Sequence, residues 1–191
     1  MMRIITGRAR GTRLLTLDGQ ETRPTAERTK EAVFSVLQFE LRDKTVLDLF
    51  AGSGQMGLEA VSRGARLAVL CDRSPAAVRV IRANVEKTSF AAETRVLCAD
   101  YTAALSSLAG KERFGIVFLD PPYACHLIPD ALRRLACGGF LEEGALIVCE
   151  SAEAADVFGE DTSLEDIYEV VRESRYGAAY VTLLRLREVC G

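Results

Sequence analysis

The chain has 191 residues, 49 % of them hydrophobic, enough for one domain with a sizeable core and too apolar for a disordered chain. No apolar run reaches the roughly 18 residues needed to span a membrane, and the opening MMRIITGRARG lacks the apolar centre of an export signal. Net charge is −3 but uneven: residues 1–30 hold seven Arg and Lys against three acids, a net of +4, while the remainder holds 17 basic and 24 acidic residues, a net of −7. A basic arm on an acidic body points to a local anionic partner.

In chain order, RIITG (3–7) and TRLLTL (12–17) flank Arg8–Gly11, which predicts a small hairpin. RPTAERTKEAVFSVLQFEL (23–41) predicts a helix with Thr25 as N-cap, Arg28 at its third position and an apolar stripe of Ala32, Val33, Val36 and Leu37. These elements form an extension over 1–43 of a single domain whose core is 44–191. In the core, apolar runs alternate with helical patterns. The runs TVLDLF (45–50), RLAVLCD (66–72), TRVLCAD (94–100), GIVFLD (115–120) and ALIVCES (145–151) are near-continuous, as strands buried on both faces are. Between them, GLEAVSRGA, SPAAVRVIRANVEK, YTAALSSLAG and IPDALRRLACGGF show helical spacing, with Ser74 as N-cap and Pro75 at the first helical position. The alternation predicts parallel strands with right-handed crossovers, an open α/β sheet. DIYEVVRESRYG and AAYVTLLRLRE then predict an antiparallel hairpin turning near Gly177 at one sheet edge. Six cysteines are present; Cys71, Cys98 and Cys149 lie inside apolar runs in no metal-ligand spacing, which reads as small buried hydrophobes in a reducing cytoplasm and predicts no metal site.

In an open α/β sheet, ligands bind beyond the carboxyl ends of the strands, and here those ends carry the chemistry. The first strand runs into DLFAGSGQMG, where Gly52, Gly54 and Gly57 fit G-x-G-x-x-G, and Asp72 follows Gly52 by 20 residues at the end of the second run, where it can accept from ribose hydroxyls. Asp48 sits four residues before Gly52. A carboxylate there is awkward beside an anionic pyrophosphate and suits a cationic ligand end. S-adenosylmethionine, with its sulfonium and ammonium, fits better than a nicotinamide dinucleotide. Asp100, at the third strand end, can accept from an adenine amine. The fourth run stops in FLDPPYA: Pro121-Pro122 cannot continue a strand or enter a helix interior, so Asp120 and Tyr123 are held on a stiff turn. An exocyclic base amine is a poor nucleophile because its lone pair is delocalised into the ring. Accepting both of its N–H groups, with Asp120 and the Pro121 carbonyl, localises and aims that pair. Tyr123 can stack on the base. The only histidine, His126, reads as a surface residue at a helix start.

The Asp-Pro-Pro-Tyr turn resembles the signature of class I S-adenosylmethionine-dependent methyltransferases acting on amino nitrogens. RIITGRARG, RPTAERTKEAVFSVL, LDLFAGSGQMGLEAVSRGA and DPPY, in this order over about residues 3–150, resemble the RsmD family of bacterial 16S rRNA guanine-N2 methyltransferases. The resemblance implies a Rossmann-like seven-stranded, mostly parallel sheet with helices on both faces and the last strand antiparallel. It implies S-adenosylmethionine over Gly52 and Gly54, with Asp48, Phe50, Asp72, Asp100 and Thr25 around it, and Asp120, Pro121, Pro122 and Tyr123 at the target base. Family members often carry Asp-Arg two residues after the acid matching Asp72; this chain has Ser74-Pro75, so a changed helix start is expected. The implied partner is 16S rRNA in the small ribosomal subunit or its precursor, met in the cytoplasm by a monomer without membrane attachment. Arg8, Arg10, Arg13, Arg23 and Arg28 are the candidates for phosphate contact. A DNA or other RNA amino-methyltransferase, acting on adenine N6 or cytosine N4, is the alternative with the same motif.

Overall fold

A computed structural model of the chain describes residues 2–17, 24–122 and 126–187, the side chains of 24–26 excepted. Seven strands form one sheet: β1 Thr45–Asp48, β2 Leu67–Asp72, β3 Thr94–Cys98, β4 Phe114–Leu119, β5 Leu141–Ser151, β6 Tyr168–Tyr176 and β7 Ala179–Leu186. Their order is β3-β2-β1-β4-β5-β7-β6. β1 to β5 are parallel, and β7 enters antiparallel between β5 and β6. The expected open sheet, edge hairpin and single antiparallel strand are all present. The helices are α1 Pro24–Val36, α2 Gln55–Ser62, α3 Pro75–Thr88, α4 Tyr101–Leu108, α5 Ile128–Cys137 and the short α6 Ser163–Ile167.

Period-two alternation along the strands divides the core into two layers. Val46, Leu70 and Phe118 face Phe34, Leu58 and Ile81 on one side of the sheet. Leu47, Val69 and Val117 face Leu105, Leu132 and Leu135 on the other. Because both faces are covered, the central strands read as continuous apolar runs rather than alternating ones. The chain leaves β1 towards β2 on one side, and β4 lies on the other, so the strand order reverses at β1. A crevice opens there beyond the carboxyl ends of β1 and β4.

Three local expectations are corrected. α1 begins at Pro24, so Thr25 lies inside the first turn and is not the cap; proline suits a first helical position because its missing N–H needs no partner. The N-terminal segments make a loop closed by one antiparallel bridge, Arg3 to Arg13, not a strand ladder. Cys98 is exposed, because β3 is an edge strand whose outer positions are left bare, whereas Cys71 and Cys149 on inner strands are buried. Ser74 caps α3 as expected: its hydroxyl accepts from the Ala77 N–H at 3.4 Å, with Pro75 next.

The N-terminal loop owes its position to hydrogen bonds from α2. The Glu59 carboxylate, fully buried, accepts the N–H of Ile5 at 2.7 Å and of Thr6 at 3.0 Å. It also pairs with Arg63 Nε at 2.8 Å and with Lys30 Nζ of α1 at 3.5 Å. Ser62 adds its carbonyl for Arg8 N–H and its hydroxyl for Ala9 N–H. Burial lowers the pKa of Lys30, and Glu59 opposes that shift. Glu59→Ala would leave the Lys30 ammonium buried without its counter-charge and two loop amides without acceptors. The expected loss is about 3–5 kcal/mol in urea unfolding, with earlier protease cleavage in residues 2–14 than in the parent.

Candidate active site

Strand register sets the depth of each candidate acid. Asp48 pairs with Leu70 of β2 and Phe118 of β4, two residues short of Asp72 and Asp120. Asp48 therefore lies one side-chain repeat deeper than the rim. It is 2 % exposed and accepts the Gly57 N–H at 3.2 Å. Its place is under the glycine turn, where it can act on a ligand as a charge beneath the floor.

The turn above it follows the glycine pattern for physical reasons. Gly52 and Gly54 have φ of +56° and +79°, a region costly for residues with a Cβ. A Cβ on Gly52 would meet nothing within 4 Å, so its backbone faces open space that a cofactor can enter. Gly57 is small for packing: a Cβ there would come within 2.1 Å of Leu70 Cδ2. Asp72 binds this turn to the second strand end. Its carboxylate accepts from Gly52 N–H at 2.9 Å and from Ser74 N–H at 2.8 Å. Each oxygen retains a lone pair, so ribose hydroxyls can still bind it. Phe50, half-buried, lies with its ring 5.7 Å from that of Tyr101 at the start of α4. Asp100 is exposed and caps α4, its Oδ1 accepting from Thr102 N–H, Thr102 Oγ1–H and Ala103 N–H. Those bonds hold its carboxyl below the usual range. Its first role is thus a helix cap, with Oδ2 left to face a ligand.

At the fourth strand end, Pro121 is buried and Pro122 exposed. Asp120 is open to solvent at its surface yet surrounded by protein, the position of a group on a cleft floor. Desolvation first, then the charges of Glu150 and Asp48, push its carboxyl well above the ordinary range. A cleft of about 230 Å³ lies beside it, lined by Pro121, Pro122, Ile128, Glu150, Ser151 and Asp156 among others. His126 is exposed on the rim, with Nδ1 3.8 Å from Asp156 Oδ1. Tyr123, Arg23 and the Thr25 side chain lie outside the described residues. Glu150 and Glu59 were not singled out by motif, since neither belongs to one.

The candidate RNA arginines separate. Arg8 pairs with Glu93 at 2.9 Å and stacks 5.0 Å over the Phe90 ring, so it is held against the body. Arg10, Arg13 and Arg28 are exposed. The Arg13 carbonyl accepts from Lys87 Nζ of α3, and Leu15 exchanges backbone hydrogen bonds with the buried Asn84 side chain, which fixes this part of the loop along α3.

Asp48 also makes stability depend on pH. Burial pushes its pKa up to about 7 from an ordinary 3.8. Between those values the folded state binds more protons than the unfolded one, so this residue's contribution makes stability fall as pH rises from about 4 to about 7 and level off above. Asp48→Asn keeps an acceptor for Gly57 and removes the titration. Denaturation midpoints taken across that window should decline less with pH in the variant than in the parent.

The comparisons agree with this geometry. A family model described as "Conserved hypothetical protein 95" matches residues 2–185. "Ribosomal RNA small subunit methyltransferase D" of Escherichia coli is 38 % identical over 151 residues, covering 78 % of this chain and 74 % of that protein. YlbH of Bacillus subtilis is 31 % identical over 187 residues, covering 97 % of this chain and all of that protein. Among solved structures, yhhF of Escherichia coli superposes with a TM-score of 0.81 at 33 % identity, covering 98 % of this chain and 99 % of that one. The fold is a Rossmann-like class I methyltransferase fold, and with the family model matched from residue 2 to residue 185 the chain belongs to the RsmD family.

Proposed function

We propose that the chain uses S-adenosylmethionine to methylate the exocyclic N2 amine of a guanine in 16S rRNA, in the small ribosomal subunit or its precursor, acting as a monomer in the cytoplasm. The observation that carries this reading is the Asp120-Pro121-Pro122 turn at the end of β4, on the same sheet end as the open glycine turn after β1. The relatives named for small-subunit rRNA methylation support the substrate class.

The residues divide the work. The backbone at Gly52 and Gly54 leaves room for the cofactor, and Asp72 and Asp100 offer acceptors to its hydroxyl and amino groups. Bound there, the cofactor supplies an electrophilic methyl on a sulfonium. Asp120 and the Pro121 carbonyl accept the two N–H groups of the target amine, which frees its lone pair for in-line attack. Tyr123 stacks on the base. The resulting amine cation is acidic enough to lose its proton without a histidine base, and His126 remains on the rim. Asp120 accepts only when ionised. Bringing a sulfonium and two N–H donors to it favours that form and opposes the upward shift set by burial, Glu150 and Asp48.

Transfer of labelled methyl to small subunits, but not to DNA, tests the reading; preference for DNA would overturn it. Asp120→Ala should lower kcat by about 10²–10³-fold, as loss of one preorganised electrostatic group does, while calorimetry shows cofactor affinity retained. In the loop, Arg10→Ala with Arg13→Ala should flatten the dependence of log K for small subunits on log salt, by about 0.7–0.9 for each phosphate no longer neutralised. Arg8→Ala should change that slope less, because Arg8 is already paired with Glu93.

A further inference from the structure

The base cleft is bordered by a second carboxylate. In the parallel register Leu119 of β4 faces Cys149 of β5, so the next residues, Asp120 and Glu150, emerge side by side. Glu150 is half-buried, lines the cleft with Pro121 and Pro122, and its charge acts directly on Asp120. Two neighbouring like charges are unfavourable unless the ligand brings donors to both. One amine satisfies Asp120 and the Pro121 carbonyl and leaves Glu150 facing the ring atom beside it.

That ring atom differs among bases. Next to the exocyclic amine, guanine carries N1–H, a donor; adenine N1 and cytosine N3 are acceptors. An ionised carboxylate can only accept. We propose that Glu150 is a specificity-determining residue that selects guanine by accepting its N1–H, and that it rejects adenine and cytosine by facing their ring nitrogen with a like dipole. This rests on the amino-methyltransferase reading above and adds the basis for its choice of base.

The test uses reconstituted small subunits carrying guanine or 2-aminopurine at the position where methylation is mapped. 2-Aminopurine keeps the same amine on the same carbon and replaces N1–H with an acceptor nitrogen. The wild-type enzyme should favour guanine in kcat/KM by roughly 10- to 150-fold, the range for one hydrogen bond to a charged group. Glu150→Gln keeps the shape and adds an N–H donor that suits the acceptor nitrogen. Its guanine to 2-aminopurine ratio should collapse toward unity, whatever its absolute rate, with cofactor affinity by calorimetry unchanged. Glu150→Ala, which should lose guanine preference without gaining on 2-aminopurine, serves if the glutamine variant fails to fold. A merely structural role lowers both substrates alike, and an unchanged ratio overturns the assignment of Glu150 alone. A wild-type enzyme that methylates no guanine in small subunits overturns the proposed function and this inference with it.

Discussion

A carboxylate with no exposed surface, Glu59, holds the molecule's functional parts in one frame. It sits on α2, the helix that leaves the glycine turn, and takes bonds from the N-terminal loop, from Lys30 of α1 and from Arg63. Burying an ion pair is costly, and replacing one by apolar residues is often neutral or better for stability. What Glu59 supplies is position: two backbone amides and two cations converge on it, so the loop can dock in one way. The loop that carries Arg10 and Arg13 is thereby fastened to the helix whose first turn shapes the cofactor crevice. Asn84 repeats the device one helix further on. Its side chain bonds Leu15 of the loop and the Ser53 carbonyl of the glycine turn together.

Most of the fold was legible because its signals are local. Strands buried on both faces appear as unbroken Val, Leu and Ile runs, and Ser74-Pro75 and Pro121-Pro122 mark a helix start and a strand stop by backbone geometry alone. The depth of each acid was not legible, because depth is a property of register. Asp48 looks in sequence like one of three equivalent strand-end acids, yet its pairing with Leu70 and Phe118 puts it under the turn. Asp100 looks like a ligand contact and spends three hydrogen bonds on its own helix. Glu59 in GLEAVSRGA reads as a surface acid on an amphipathic helix; only the folding of a distant loop onto that helix buries it. Cys98 shows the converse, an apolar run at the sheet edge that is half bare.

Five carboxylates, Asp48, Asp72, Asp100, Asp120 and Glu150, gather at or just beneath one end of the sheet, in a body whose net charge outside residues 1–30 is −7. The crowding has measurable consequences within the site: Asp48 and Asp120 both have carboxyls pushed upward, first by burial and then by each other's neighbours. An anionic pyrophosphate would deepen that strain. A sulfonium and an ammonium relieve it, so the same electrostatics that make the crevice hostile to a dinucleotide make it receptive to S-adenosylmethionine on the proposed reading.

The acids also constrain how RNA is met. Phosphates are repelled from the cleft, so the backbone of the substrate has to be held elsewhere, and the exposed Arg10 and Arg13 lie on a loop fastened to α2 and α3 rather than at the strand ends. A base turned out of its helix presents a different face: its edge carries N–H donors, which the carboxylates accept, and no charge. An acidic cleft beside a basic loop therefore sorts the two halves of a nucleotide, keeping phosphate on the loop and admitting only the base. The cost of unstacking that base, a few kcal/mol, has to be met by contacts made after it turns out. Guanine, which offers donors from both its amine and its ring, can satisfy Asp120 and Glu150 together, and that pairing is what distinguishes a base placed for reaction from one merely near it.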